Sequence, residues 1–296
     1  MTQIALVTDS TSDLSPTLVE EAGITVIPLT VTVGGRSYQD GIEISSSQFY
    51  ERMATHPDGI STSQPPPGLF VQAYQRLLTD YDHVISIHIS EKLSGTLSSA
   101  RQAREMIDTP DRIHLIDSQG VSMQLGLLTL MAANLAHSGS DWDSVVARIE
   151  AARLSMRTYF TLATLENLRR GGRIGRASAF LGSVLQVKPV LAIEGGLVVP
   201  VERVRTHDRA VARLVELARS VDTGHGLCAV VAHAAEPELA EKVASQLEDC
   251  SETLLIQAIG PVVGAHAGPG AVGIGCYPAE MLPLGLKLKA GTTPSG

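Results

Sequence analysis

The stretch Ser90-Glu91-Lys92-Leu93-Ser94-Gly95-Thr96 decides the fold, and it follows an apolar run over residues 83–89. Such a run is typical of a strand that is buried on both faces of a parallel sheet. From Leu97 to Ile107 apolar residues recur at three- and four-residue steps, which predicts an amphipathic helix. Ser94 therefore lies where the carboxyl end of a strand passes into a helix. Free N–H groups and the helix dipole favour an anion there, although Ser94 also fits a simple helix cap.

The same arrangement recurs along the chain. Strand-like runs end in Asp9-Ser10 and in Asp117-Ser118, and Thr62 lies on a loop that precedes another helix. Hydroxyl groups and free amides bind a carboxylate or a phosphate without a fixed charge. The neighbouring Asp9, Asp13 and Asp117 would repel an anion, so we expect them to hold loop amides and cap turns. Their spacing matches no standard Ca²⁺ loop, and we expect no metal site.

Composition narrows the classes of function. Of the 296 residues 44% are hydrophobic and 18% charged, so the chain is globular. A net charge of −8 and only 4% aromatic residues argue against nucleic acid as a partner. The three cysteines lack CxxC spacing, which predicts a reducing compartment and no zinc site. Neither a signal peptide nor a membrane span is recognisable, so we expect a cytoplasmic protein that is not integral to a membrane, with transient membrane contact left open.

Strands and helices alternate along the chain, which predicts an α/β fold with two domains. We expect an N-terminal domain over residues 1–157, with a parallel sheet and helices on both faces. A mixed α/β C-terminal domain would cover residues 158–285 and a tail residues 286–296. No Pro/Gly linker marks the boundary.

Two glycine-rich segments stand out in the second half. The segment Gly171-Gly172-Arg173-Ile174-Gly175-Arg176 precedes an apolar stretch that predicts a helix over residues 177–185. Residues 260–270 read as a glycine-rich turn that holds His266. An isolated histidine is usually structural, but glycines on both sides let the backbone pack closely, so that the imidazole could donate a hydrogen bond to an anion at Ser94. Residues 268–273 match GxGxxG, but no helix pattern follows, so a dinucleotide site is not expected.

Five fragments in register resemble the motifs of the DegV family, of the fatty-acid-binding FakB type. The resemblance extends to about residue 285. The fragments are Val7-Thr8-Asp9-Ser10-Thr11-Ser12-Asp13, Ser61-Thr62-Ser63-Gln64-Pro65, Ser94-Gly95-Thr96, Gly171-Gly172-Arg173-Ile174 and His266-Ala267-Gly268-Pro269-Gly270.

The resemblance implies a two-domain protein that binds one long-chain fatty acid such as palmitate and needs no other cofactor. It also implies a carrier, not an enzyme, which presents the acid to a separate ATP-dependent fatty acid kinase. Thr62 and Ser94 match the hydroxyls that contact the carboxylate, with His266 and the Gly95 amide beside them. Arg173 matches a surface arginine that serves the encounter with the kinase. For the acyl chain we expect a lining from Ile174, Phe180, Leu181 and Val184.

Two other classes of function stay open at this point. Ser94 and His266 would also suit a nucleophile and base for acyl transfer or hydrolysis, although no third orienting group or nucleophile elbow is recognisable. Alternatively, hydroxyls and amides suit a phosphate ligand, and aspartates suit Mg²⁺, as in a triose-kinase-like protein.

Overall fold

The computed structural model describes residues 2–181 and 187–281. Thirteen strands lie within these ranges: β1 Ile4–Asp9, β2 Ile24–Ile27, β3 Thr30–Val33, β4 Arg36–Gln39, β5 Ser61–Ser63, β6 His83–His88, β7 Ile113–Asp117, β8 Arg157–Thr161, β9 Lys188–Glu194, β10 Leu197–Val204, β11 Leu227–His233, β12 Ser251–Ala258 and β13 Val272–Pro278. The α-helices of the same ranges are α1 Pro16–Glu21, α2 Ser46–Thr55, α3 Pro67–Asp80, α4 Thr96–Glu105, α5 Met123–His137, α6 Trp142–Ser155, α7 Glu166–Arg170, α8 His207–Arg219, α9 Pro237–Ser245 and α10 Pro261–Ala267.

Four strands form a parallel sheet in the order β2-β1-β6-β7. Alternate residues of β1 face opposite sides, as the pleat requires. Ala5 and Val7 belong to one apolar cluster with Phe70 and Tyr74 of α3. Ile4 and Leu6 belong to a second cluster that includes α5. Helices therefore cover both faces of this sheet, as expected from its apolar strands.

A six-stranded mixed sheet has the order β10-β9-β8-β13-β11-β12. Only β11 and β12 pair in parallel, and β8, β9, β10, β11 and β13 form antiparallel pairs. Apolar residues of α8 and α9 pack on one face of this sheet. α5 contacts the other face through β8, β11 and β13. The α/β fold with one parallel and one mixed sheet agrees with the expectation from the sequence.

α5 lies between the two sheets. Twelve of its fifteen residues are buried, on all sides of the helix. A helix that contacts two sheets has no solvent-facing side, and its sequence is apolar all round for that reason. Gly126 allows α5 to pack closely against the backbone at Ser12, because a Cβ there would lie 2.9 Å from the Ser12 carbonyl oxygen.

Two local expectations about the elements that carry Thr62 and His266 are wrong. Thr62 lies not in a loop but on β5, which joins β3 and β4 in a small antiparallel sheet and sets Thr62 opposite Val31. Residues 260–270 are not a turn throughout, because residues 261–267 form α10. Pro261 at the first helical position fits the helix start, and Gly268, with a φ of +76°, ends it.

The chain passes from the parallel sheet to the mixed sheet between α6 and β8, close to residue 157. One apolar cluster nevertheless includes side chains from both halves, packed around α5. The division into domains at 157 and 158 stays a prediction, and the tail 286–296 lies outside the described residues. No helix within the described ranges combines the length and apolar character that crossing a bilayer requires.

The double burial of α5 predicts a large cost for truncating its side chains. Leu127 is fully buried, and Leu127→Ala should lower the free energy of unfolding by about 2–5 kcal/mol. As a matched control, Leu154→Ala on α6 removes the same group from a residue that is 68% exposed, and a change within about 0.5 kcal/mol is expected. Urea unfolding measures both, and equal losses would contradict the packing described for α5.

Candidate functional site

A cavity of about 450 Å³ lies between the two halves of the chain. Its size falls within the roughly 300–1,000 Å³ of small-molecule sites. Ile89 and Val121 line it from the carboxyl edge of the parallel sheet, whereas Phe160 and Ile193 line it from the mixed sheet. Most of the lining surface is apolar. One end holds a group of polar side chains that includes Thr62 and His266.

Thr62 and His266 meet at this polar end. Thr62 Oγ1 and His266 Nε2 lie 2.9 Å apart, although 204 residues separate them in the chain. β5 positions Thr62 and the last turn of α10 positions His266. Both side chains line the cavity.

His266 is neutral at physiological pH. Burial, reinforced by the positive charge of Arg173, lowers the pKa of His266 to about 4. Its Nδ1 is buried and has no hydrogen-bond partner among the described residues, and it packs where a Cβ of Gly171 would lie. An orphaned buried N–H is rarer than an under-satisfied acceptor, so we assign the ring proton to Nε2. His266 then donates to Thr62 Oγ1, and the Thr62 hydroxyl is free to donate into the cavity.

Ser94 lines the same cavity at the start of α4. Its Oγ lies 2.9 Å from Thr96 Oγ1 and accepts a hydrogen bond from the Thr96 N–H at 3.3 Å. Ser94 therefore partly caps the helix, as the simpler interpretation holds, while its side chain also faces the cavity. The helix N-cap itself is Gly95.

Gly95 makes room for Gln64. A Cβ at Gly95 would clash with the Gln64 amide, which lines the cavity and donates from Nε2 to Ser99 Oγ at 3.1 Å. Gly95 itself is not a lining residue. Its expected role through the backbone amide stays a prediction. Gln64 belongs to the fragment over residues 61–65, but it was not among the site residues predicted from the sequence.

Arg173 is the single charged side chain, at neutral pH, among the described residues that line the cavity. Its Nε donates to the Leu93 carbonyl oxygen at 2.9 Å and its Nη1 donates to the Gly171 carbonyl oxygen at 2.7 Å. It joins the turn before Ser94 to the segment beside His266. The expected surface arginine thus also lies at the polar end of the cavity.

The described side chains that line the cavity differ from those expected to surround an acyl chain. Ile174 and Phe180 pack against the core and do not line the cavity, and Leu181 is 42% exposed. Gly175, with a φ of +52°, interrupts the segment, and residues 175–180 form a 3₁₀ helix against β10. The lining comes instead from strand residues such as Phe160, Ile193 and Val198. Val184 lies outside the described residues.

The aspartates beside the site hold backbone amides, as expected. Asp9 accepts from the Ile89 N–H at 3.0 Å, Asp13 from the Gly260 N–H at 3.0 Å and Asp117 from the Gln119 N–H at 2.9 Å. None of the three lines the cavity. The described residues contain no cluster of His, Cys, Asp or Glu suited to a metal ion.

Asp40 is a neighbour that sequence reasoning missed. Burial, together with the charge of Asp9, raises the pKa of Asp40 to about 7, and burial also raises that of Asp13 well above its usual value. Interactions with Ser10 and with the Val262 N–H oppose this rise in the pKa of Asp40. Asp13 and Asp40 thus both contact the start of α10, the helix that carries His266. The sequence around Asp40 reads only as an Asp-Gly turn, so no local signal reveals this contact.

The geometry disfavours a Ser94–His266 nucleophile and base. His266 Nε2 pairs with Thr62, and Ser94 Oγ pairs with Thr96. A Ser–His–Asp chain does occur elsewhere, where Ser86 Oγ lies 2.6 Å from His88 Nε2 and His88 Nδ1 lies 3.0 Å from Asp9 Oδ2. All three residues are completely buried, so Ser86 cannot reach a substrate. Residues 272–273 of the GxGxxG match begin β13, and no helix opens there.

The comparisons with known proteins agree with this architecture. The sequence model of the DegV family, described as "Uncharacterised protein, DegV family", matches residues 3–279. The chain belongs to the DegV family. The DegV domain-containing protein SCO2569 of Streptomyces coelicolor is 39% identical over 275 residues, which are 92% of this chain and 97% of that protein.

Two solved structures of DegV proteins share the fold. A fatty-acid-binding DegV family protein from Thermus thermophilus superimposes with a TM-score of 0.86 at 36% identity, over 93% of this chain and 99% of that one. DegV of Bacillus subtilis, also a fatty acid binding protein, gives a TM-score of 0.84 at 36% identity, over 94% and 100% of the two chains.

The raised pKa of Asp40 predicts a pH-dependent effect of Asp40→Asn in this DegV-family protein. The folded state keeps the Asp40 proton up to about pH 7, whereas the unfolded chain loses it near pH 4, so wild-type stability falls as the pH rises between these values. The variant lacks this titration. The free energy of unfolding of Asp40→Asn minus that of wild type should therefore increase by on the order of 2–3 kcal/mol between pH 5 and pH 8. Urea midpoints against pH measure this, and parallel profiles would contradict the burial of the Asp40 carboxylate.

Proposed function

We propose that this protein binds one long-chain fatty acid, with its carboxylate at Thr62, Ser94 and His266 and its alkyl chain in the apolar part of the cavity. The observation that carries the proposal is the hydrogen-bonded pair of Thr62 and neutral His266 at one end of a mainly apolar cavity. Fatty acid binding by the Thermus thermophilus and Bacillus subtilis relatives supports it.

The polar end suits a carboxylate. The Thr62 hydroxyl, fixed by His266, donates to one carboxylate oxygen, and Ser94 and the Gly95 N–H supply donors at the positive end of α4. Arg173 lies at the same end and attracts a negative head group. Asp9, Asp13 and Asp117 are all absent from the cavity lining, so they do not oppose the anion at contact distance.

The alkyl chain supplies most of the affinity. Burial of the 15 carbons beyond the carboxyl group of palmitate contributes about 12 kcal/mol before costs, at roughly 0.8 kcal/mol per methylene. Each hydrogen bond to the charged head adds about 1.5–3 kcal/mol. Immobilising both partners costs several kcal/mol. The head-group contacts therefore orient the ligand more than they retain it.

The same proposal makes the protein a carrier in the cytoplasm that presents the acid to a separate ATP-dependent fatty acid kinase. The resemblance to FakB-type proteins supports this role, and so does the position of Arg173, which is both exposed and part of the cavity lining. We assign to Arg173 the encounter with the kinase. Entry and release of the acid would take place during transient contact with a membrane.

Removal of the Thr62 and Ser94 hydroxyls, which contact the carboxylate in this proposal, provides a test. Ser94→Ala and Thr62→Val should each weaken palmitate binding by about 10-fold or more, because a charged acceptor loses one donor. Ser98→Ala, on the exposed side of α4, is the matched control and should bind like wild type. Isothermal titration of delipidated protein with palmitate measures all three.

The endogenous ligand provides the second measurement. Protein purified without added lipid should carry a fatty acid that denaturing extraction and mass spectrometry identify, in a ratio approaching one per chain. Absence of any fatty acid, combined with no palmitate binding after delipidation, would refute the proposed function. Equal affinity of Ser94→Ala, Thr62→Val and wild type would refute the assigned head-group site alone.

A further inference from the structure

The cavity has an end that is remote from His266. Thr158, Phe160 and Leu162 alternate along β8 and beyond it, so they share one face of the sheet, and all three line the cavity. Four residues separate Thr158 from Leu162, a distance of about 13 Å at 3.3 Å per residue. The Leu162 end leads through α7 to Gly171, which packs against His266. Thr158 therefore marks the far end.

Met123 begins at this far end, because Gly275 of β13 pairs with Thr158 and a Cβ at Gly275 would clash with Met123 Cβ. From there its side chain extends along β13 to Gly273. Gly273 of β13 pairs directly with Phe160 of β8, and both line the cavity. A Cβ at Gly273 would lie 2.6 Å from Met123 Cε and 3.0 Å from Phe160 Cβ. The terminal methyl of Met123 thus occupies the space that any side chain at position 273 would need.

The backbone of Met123 is held while its side chain can adapt. The preceding Ser122 has a φ of +53°, and its N–H donates to the Thr11 carbonyl oxygen at 2.7 Å. Its Oγ donates to Asp13 Oδ2 at 2.5 Å. The Met123 side chain is 4% exposed and has three rotatable bonds ending in a polarisable thioether, so its tip can move without the helix.

We propose that Met123, lying over Gly273, sets the length of the acyl chain that the cavity accepts. This inference rests on the proposed function, and it identifies the preferred ligands as acids whose terminal methyl reaches Met123. Acids with further carbons must displace the Met123 tip. Acids that stop short leave contacts unmade, at roughly fourfold in affinity per missing methylene.

Two substitutions should move this limit in opposite directions. Met123→Ala removes three heavy atoms from the far end and makes room for about two further carbons. Gly273→Ala keeps an ordinary extended backbone, but its Cβ meets the flexible Met123 tip on one side and the fixed Phe160 Cβ on the other. The Met123 methyl is the group that can move, and it turns into the cavity, which shortens the accepted chain by one or two carbons.

Competition among ligands tests the proposal. Delipidated wild type and variants are equilibrated with an equimolar mixture of saturated acids from 12 to 20 carbons, and mass spectrometry measures what is retained. Met123→Ala should shift the retained acids to longer chains by about two carbons, and Gly273→Ala to shorter ones. The control is Met131→Ala, which truncates a fully buried methionine of the same helix that does not line the cavity, and its profile should equal that of wild type.

The possible outcomes distinguish failure of the role of Met123 from failure of fatty acid binding itself. An unchanged profile for Met123→Ala, or an equal shift for Met131→Ala, would overturn the role of Met123 while fatty acid binding stands. If Gly273→Ala fails to fold, as thermal melting would reveal, the Met123→Ala result decides alone. If wild type retains no acid at all, the proposed function fails, and the role of Met123 fails with it.

Discussion

The burial of α5 between two sheets is the constraint on which the rest of the structure depends. A helix with apolar side chains all round must contact protein on every side, so the parallel sheet and the mixed sheet are held against the same element. Residues at the start of this helix, Ser122 and Met123, line the cavity together with residues of both sheets. The packing that joins the two halves therefore also encloses the candidate site.

Hydrogen-bond donors and buried carboxyl groups occupy different places around the site. Neutral His266 fixes Thr62, and Arg173 adds a positive charge at the same end of the cavity. The buried Asp13 and Asp40 lie instead against the start of α10. These acids contact the helix that carries His266 and do not line the cavity. An anion at the polar end would thus meet donors first, which is the property that the proposed function requires.

Local patterns predicted much of the fold but little of the cavity wall. The strand before Ser94 and the helix after it follow from apolar periodicity. Of the hydroxyl groups expected at one edge, those of Thr62 and Ser94 line the cavity, whereas Ser10 and Ser118 do not. The sequence did not predict α10, because glycine is a poor helix former and occurs at positions 260, 264 and 268. The helix depends on tertiary contacts instead. β5 was missed because its pairing with β3 is not local. The lining from Phe160 and Gly273 depends on strand register across the mixed sheet, which no motif encodes.

A crystal structure of the protein soaked or grown with palmitate tests the central claim most directly, because it places both ends of the ligand. The account predicts one carboxylate oxygen within hydrogen-bond distance of the Thr62 and Ser94 hydroxyls, and an alkyl chain that runs from there toward Thr158. A carboxylate located at the opposite end of the cavity, or a palmitate bound elsewhere on the surface, would contradict it.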